Sequence, residues 1–94
     1  MIQSIMQETK ECYITGDTQG LHKHHIYRGQ NRNNSEIYGC WVWLRWDWHD
    51  GASYGVHGSG GGELDRKLRQ ERQEKFEAIY GHEAFIKIFG RNYL

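Results

Sequence analysis

The sequence predicts an α+β fold in which a β-hairpin precedes a long helix and a short C-terminal helix. Two observations predict it: two stretches rich in β-branched and aromatic residues flank a polar loop, and an apolar pattern of helical period follows them. A third observation concerns His24, His25, His49 and His57. Because imidazole is the commonest protein ligand for a transition metal, these histidines indicate a metal centre.

The chain of 94 residues is short enough to predict one domain, 1–94. Within it we expect an irregular lead-in over 1–20, a hairpin and metal loop over 21–62, and helices over 63–94. A core of this size leaves the folded state only marginally stable, so a bound structural metal would contribute much of the stability.

Composition narrows the function. Twelve basic residues balance twelve acidic ones, whereas a DNA-binding surface usually carries a basic excess. With no apolar run of membrane-spanning length and no N-terminal signal pattern, we expect a cytoplasmic protein with no membrane partner. In that compartment Cys12 and Cys40 are expected to stay reduced.

The first half of the chain provides the hairpin. The lead-in ends in the turn-forming run Thr-Gly-Asp-Thr-Gln-Gly (15–20). Leu21–Arg28 and Ile37–Trp46 have the composition of strands, and the polar run 29–35 between them is predicted to be a loop.

The second half provides the helices. Residues 49–62 are rich in glycine and are expected to form a loop or a single helical turn. Helical spacing then predicts a helix over 63–80, interrupted on its apolar stripe by Arg72, and Gly81 is suited to end it. A second helix is predicted over 83–89. The apolar positions of the long helix are Leu64, Leu68, Phe76, Ile79 and Tyr80.

Strand geometry suggests which histidines meet. Alternation puts His24 and His25 on opposite faces of the first strand, and the hairpin returns the chain so that His49 and His57 can approach His24. We therefore predict a metal site of His24, His49 and His57. All three are nitrogen donors, which favours Zn²⁺, with Mg²⁺, Mn²⁺ or Ni²⁺ as alternatives. His25 is either a general base or a structural residue.

Two surfaces are candidates for partner binding. On an unbroken strand Trp46 and Trp48 would share the face opposite Trp41 and Trp43, where they could anchor a partner or fill the core. Arginines at spacing i,i+3 form a candidate basic stripe on the long helix, unless they are simply a solvated face. These arginines are Arg66, Arg69 and Arg72.

Several runs together carry a resemblance to a known family. They are Cys12-Tyr-Ile-Thr-Gly16, Leu21-His-Lys-His-His-Ile26, Tyr38-Gly-Cys-Trp-Val-Trp-Leu44, His49 through Gly-Val-His57, and the closing Phe-Gly-Arg-Asn-Tyr-Leu (89–94). Over residues 11–94 the chain resembles small phage proteins of the HNH, or His-Me-finger, nuclease type. The resemblance implies a ββα-metal fold in which a hairpin and a helix hold one divalent ion.

The same resemblance implies roles for the histidines. His24, His49 and His57 would be metal ligands, and His25 would be the base that activates water. The ion would stabilise negative charge that develops on the phosphate and the leaving oxygen.

Departures from the family pattern favour a non-enzymatic function. Thr15 stands where relatives carry the second cysteine of a Cys-x-x-Cys knuckle, and the asparagine that gives the motif its middle letter is unassigned, since its position falls near Cys40. The sequence therefore favours a zinc-binding phage protein with a degenerate nuclease-like site. Such a protein would bind and inhibit a host defence nuclease such as a CRISPR nuclease, as anti-CRISPR proteins do. The alternative is an active metal-dependent HNH endonuclease that binds DNA and uses His25 as general base.

Overall fold

A two-stranded antiparallel hairpin packed against helices makes up the part of the chain that the computed structural model describes, residues 6–94. The α+β class is thus confirmed. The elements in chain order are β1 (Leu21–His25), a 3₁₀ turn (Gly29–Asn31), α1 (Arg32–Ile37), β2 (Trp41–Arg45), a π-helical turn (Asp47–Gly51), α2 (Gly62–Tyr80) and α3 (His82–Phe89).

The hairpin is shorter than the sequence predicts. β1 and β2 pair from Leu21 opposite Arg45 to His25 opposite Trp41. The predicted strands Leu21–Arg28 and Ile37–Trp46 are therefore too long, because the chain turns into helical structure at both ends of the ladder. The pairing leaves His24 opposite Val42, where both side chains are buried.

The prediction of a polar loop over 29–35 is wrong, because α1 forms there. Its anchors are tertiary: Asn31 Nδ2 donates to the carbonyl oxygen of Phe89 at 2.9 Å, and Asn34 Nδ2 donates to that of Ile88 at 3.1 Å. The hydroxyl of Ser35 donates to the carbonyl oxygen of Tyr27 at 2.7 Å. A six-residue helix is marginal alone, so these side-chain bonds explain its stability.

Both predicted C-terminal helices are confirmed to within one residue. Gly81 ends α2 with φ of 89° and Gly90 ends α3 in the left-handed region with φ of 76°, conformations that favour glycine. The buried core lies between the hairpin and these helices, and its aromatic centre joins Tyr27 to Phe76, Phe85 and Phe89.

The two ends of the described chain pack on this frame. Residues 6–20 contain no helix or strand, as the predicted lead-in requires, while residues 1–5 of that lead-in lie outside the described residues. Cys12 and Cys40 are both free thiols, as expected, and both are buried. At the other end Gln73 Oε1 accepts a hydrogen bond from the backbone N–H of Tyr93 at 2.8 Å. Within residues 6–94, none of the helices combines the length and the apolar character that crossing a membrane would require.

Candidate metal centre

Three histidines that are distant in sequence meet beside the hairpin. The ring centroids of His24 and His49 lie 5.4 Å apart, those of His24 and His57 5.2 Å, and those of His49 and His57 4.8 Å. One ring nitrogen from each residue lies within 4.8 Å of the other two. The structure therefore brings together the histidine trio that the sequence predicts.

His24 is the buried member of the trio. Its side chain is 1% exposed, and both of its ring nitrogens are buried without a hydrogen-bond partner. Burial, together with the neighbouring His49 and His57, lowers the pKa of His24 to about 3. A buried polar atom without a partner costs free energy, so the ring is neutral and available to a ligand.

The backbone fixes the other two histidines to one another. The N–H of His57 donates to the carbonyl oxygen of His49 at 2.9 Å, and the N–H of Val56 donates to that of Trp48 at 2.7 Å. The π-helical turn that carries His49 is thus joined directly to the segment that carries His57. π-Helical turns often occur at functional sites, so this local geometry is consistent with a site.

Glycines allow this loop to close tightly. A Cβ atom added at Gly61 would lie 1.9 Å from the carbonyl oxygen of Gly55, and one at Gly55 would lie 2.5 Å from that of Asp47. These contacts are with backbone, which cannot move aside without displacing the turn. The glycine-rich run 55–61 is therefore a packed segment that positions His57.

Polar neighbours orient the two less buried rings. Nδ1 of His49 lies 3.1 Å from Nδ1 of His22, and Nδ1 of His57 accepts a hydrogen bond of 2.9 Å from the Arg28 guanidinium. Arg28 also pairs with Asp65 at 2.8 Å. Burial, followed by the charge of Arg28, lowers the pKa of His57, and burial lowers that of His49. Both rings are thus kept in the neutral form that metal ligands need.

The donor set fits one transition-metal ion. Nitrogen ligands of a tetrahedral zinc ion lie about 3.4 Å apart, as follows from a Zn–N distance of 2.0–2.1 Å. The three ring nitrogens lie within 4.8 Å of one another, which is near that spacing. The unpartnered nitrogens of His24 are the atoms that an ion would satisfy. His24, His49 and His57 are accordingly a group that could hold a metal ion.

His25 differs from the three histidines of the trio because it is paired with a carboxylate. Its Nε2 lies 2.6 Å from Oε2 of Glu36, and the other carboxylate oxygen, Oε1, accepts a hydrogen bond of 2.6 Å from Lys23 Nζ. Hydrogen bonds from Lys23 and then from His25 lower the pKa of Glu36, which stays ionised. A carboxylate at Nε2 favours the tautomer with the proton on that nitrogen, and this leaves Nδ1 as a proton acceptor.

A cleft of about 310 Å³ joins His25 to the trio. Cationic side chains border it: Lys23 and Arg28 are half-buried, and Arg32 of α1 is exposed. The adjoining groove, about 390 Å³, is lined by Lys23, His25, Arg32, Asn33 and Glu36. The chain has no net charge, and at this cleft Lys23 and Arg28 are paired with Glu36 and Asp65, while Arg32 is exposed.

The expectation for the tryptophans is partly wrong. Trp41 and Trp43 share one strand face, with ring centroids 5.5 Å apart, as predicted. Trp46 and Trp48 do not share the opposite face, because β2 ends at Arg45 and the chain coils there. Trp48 packs on the ring of Tyr54 and against the core, whereas Trp46 is 52% exposed.

The predicted arginine stripe is also wrong at one position. Arg72 is 0% exposed, so it cannot contact a partner on the surface. Arg66 is exposed and Arg69 is half-buried against Asp65. The basic group of this surface instead includes Arg91 of the C-terminal segment, which lines one groove with Arg66 and Arg69.

Sequence reasoning missed two polar residues of the site. Glu36 lies in α1, between the loop predicted over 29–35 and the strand predicted from Ile37, so its approach to His25 has no local signal. Arg28 was assigned to a strand, although it lies beyond the ladder and contacts His57. The chain matches no family model, and no curated protein or solved structure is detectably similar to it.

Proposed function

We propose that this chain is a metal-dependent phosphodiesterase of the HNH type that cleaves DNA. The observation that carries the proposal is that two differently equipped kinds of imidazole border one cleft. His24, His49 and His57 face one another, whereas His25 pairs with the carboxylate of Glu36. Ligands and a general base separated in this way are the equipment for metal-assisted hydrolysis.

Zinc is the proposed resident ion, held by His24, His49 and His57. Three imidazoles and no carboxylate favour zinc or nickel over magnesium or manganese, which prefer oxygen ligands. When bound there, the ion supplies Lewis acidity to a phosphate oxygen. Because the core is small, we also expect the same ion to stabilise the fold.

His25 accepts the proton of the attacking water. With Nε2 paired to Glu36, Nδ1 takes the proton, and the carboxylate stabilises the imidazolium that forms. Glu36 therefore acts as a positioning residue for His25. Lys23 holds the other oxygen of that carboxylate and keeps it in place.

The cationic rim provides a path for the phosphate backbone. Arg32 is exposed beside the cleft, and its guanidinium can bind phosphate oxygens through paired hydrogen bonds. Lys23 and Arg28 border the same cleft and also pair with Glu36 and Asp65. Phosphate binding depends on local charge, so a chain of zero net charge can still bind DNA through this face. We expect modest affinity that falls with salt.

A plasmid-nicking assay with zinc, nickel, manganese or magnesium tests the proposal. We expect cleavage by the wild-type protein that His25→Ala abolishes and that His82→Ala leaves unchanged. His82 is the matched control because it also pairs with a glutamate, Glu77 at 2.8 Å, but lies outside the cleft. A His25→Ala protein that cuts as fast as wild type would exclude His25 as the base.

A second candidate is a zinc-stabilised inhibitor of a host defence nuclease such as a CRISPR nuclease, acting in the host cytoplasm. The supporting observation is the exposure of Trp46, whose ring rests on Gly20 and Gly51 while half of it meets solvent. Exposed tryptophans are frequent anchors in protein interfaces. Arg66 and Arg69 would contribute at the rim and the half-buried Trp48 would contribute in part, while Arg72 is fully buried and cannot take part.

Two results would favour this candidate over hydrolysis. The first is a wild-type protein that nicks no plasmid with any of the four ions. The second is direct inhibition of a purified effector nuclease that is weakened by Trp46→Ala. Ile79→Ala is the control, since it removes a different exposed apolar side chain, on α2, and should leave inhibition unchanged.

A further inference from the structure

We propose a second divalent-cation site on the surface of this protein, formed by His22, His49 and Asp50. The site shares His49 with the buried trio but uses two residues that the proposed hydrolysis does not need. It therefore stands independently of DNA cleavage. The ions it fits are those that accept mixed nitrogen and oxygen donors, namely zinc, nickel and cobalt.

The fold delivers the three donors to one place. Alternation along β1 puts His22 on the face of the strand that His24 occupies, two residues along. The π-helical turn Asp47–Gly51 carries both His49 and Asp50. The ring centroids of His22 and His49 are 5.2 Å apart, so the turn meets the start of the strand there.

The distances are close to those of a single coordination sphere. The Nδ1 atoms of His22 and His49 lie 3.1 Å apart. Two nitrogens bound to one ion lie about 2.8–3.4 Å apart, for Zn–N distances of 2.0–2.1 Å and angles between octahedral and tetrahedral values. The two imidazoles already have the spacing of ligands to a common ion.

Asp50 completes the donor set. Its Oδ1 lies 3.9 Å from His22 Nδ1, and its Oδ2 lies 3.9 Å from His49 Nδ1. The carboxylate thus faces both imidazoles, and its side chain is exposed enough to rotate inward. It also adds a negative charge, which favours a divalent cation and which the buried trio lacks.

His49 connects the two sites. Since its Nδ1 faces His22 and Asp50, its Nε2 remains for the ion held with His24 and His57. A ring shared in this way makes the two ions compete for His49, or requires the neutral ring to lose its one N–H proton. The exposed site, with water filling its open positions, therefore binds second and more weakly, and its loading alters the first site.

Titration with cobalt tests this site, because tetrahedral and octahedral Co²⁺ differ in their visible absorption. We expect two equivalents to bind to the wild-type protein, and the spectrum of the first to change as the second binds. His22→Ala and Asp50→Ala are each expected to bind one equivalent. His82→Ala, which removes a histidine paired with one carboxylate only, is expected to bind two.

His22 also orients His49, so His22→Ala is expected to weaken the buried site by about 10- to 100-fold. The decisive measurement is therefore the number of equivalents bound at saturation, and the Asp50→Ala variant gives it without this complication. A wild-type protein that binds one equivalent, or an Asp50→Ala protein that still binds two, would overturn the proposal. A first spectrum that stays constant during the second addition would overturn the sharing of His49.

Discussion

The carboxylate of Glu36 lies 2.6 Å from Nε2 of His25 and so joins helix α1 to strand β1. It binds Lys23 through its other oxygen. A base in this setting has a fixed tautomer, and the negative charge beside it stabilises its protonated form. Mutation of Glu36 therefore tests the role of His25 directly.

We expect Glu36→Gln to slow plasmid cleavage by about 10- to 100-fold, since a base contributes about 10²–10⁴ and the variant loses only its orientation and charge support. The control is Glu77→Gln, which breaks the His82 pair and should leave the cleavage rate unchanged. Equal rates for Glu36→Gln and wild type would contradict the role assigned to Glu36.

Removal of metal is expected to destabilise the whole domain. Structural zinc contributes on the order of 10 kcal/mol in small domains, comparable with their total stability. A chelator should therefore lower the thermal midpoint of the wild type strongly. His49→Ala should begin at a low midpoint and show little further response to chelator. If the wild-type midpoint were the same with and without chelator, the metal would have no structural role.

The stability of the metal-free protein is expected to depend on pH through His24. Burial lowers its pKa in the folded state to about 3 from its ordinary value of 6.5. The unfolded chain therefore binds more protons between these values, so the free energy of unfolding falls as pH falls from 6.5 towards 3. We expect a loss of a few kcal/mol, since each pKa unit corresponds to about 1.4 kcal/mol.

Urea denaturation of the metal-free protein at several pH values measures this effect. His24→Leu retains the buried volume and removes the titrating group, so its stability should change less over the same range. His82→Leu removes an exposed histidine and should keep the wild-type slope. A wild-type slope retained in His24→Leu would assign the effect to other groups.

The packing of the glycine-rich segment gives a paired test. A methyl group at Gly61 would meet the carbonyl oxygen of Gly55 at 1.9 Å, whereas one at Gly62 would meet nothing within 4 Å. Gly61→Ala is therefore expected to shift the segment that carries His57, to lower metal affinity by calorimetry, and to destabilise the protein by about 1–3 kcal/mol. Gly62→Ala should be neutral or slightly stabilising, since alanine is the better helix former. Similar losses in both variants would show that the close approach is not what matters.

Local sequence patterns were sufficient to predict the hairpin, the helices α2 and α3, and the meeting of the three histidines. Strand alternation and glycine positions are properties of neighbouring residues, and they brought His24, His49 and His57 together correctly. The helix Arg32–Ile37 was not predictable in that way, because its anchors are the carbonyl oxygens of Ile88 and Phe89, more than fifty residues away. Glu36 was missed with it for the same reason.

The surface position predicted for Arg72 is wrong for a different reason, since the sequence itself indicated that the residue would be buried. It lies four residues after Leu68 and four before Phe76, which places it on the apolar face of the helix. Its charge suggested a surface role, yet the position is buried. Spacing was the better guide to its location than residue type.

The burial of Arg72 leads to the last prediction. Its Nε donates to Sγ of Cys40 at 3.0 Å and its Nη2 donates to the carbonyl oxygen of Tyr38 at 3.1 Å. Burial raises the pKa of Cys40 to about 11, so the thiol is neutral. Among residues 6–94, Arg72 forms no ion pair with a carboxylate. A buried cation without an anionic partner carries a large desolvation cost.

We therefore expect Arg72→Met to fold with a stability within about 1.5 kcal/mol of wild type, because it fills similar volume without the charge. Arg72→Ala should lose about 2–5 kcal/mol, because it leaves a cavity beside Phe76. Urea denaturation of the three proteins measures both differences. A Met variant as unstable as the Ala variant would mean that the hydrogen bonds to Cys40 and Tyr38, and not the volume of the side chain, account for the contribution of Arg72 to the core.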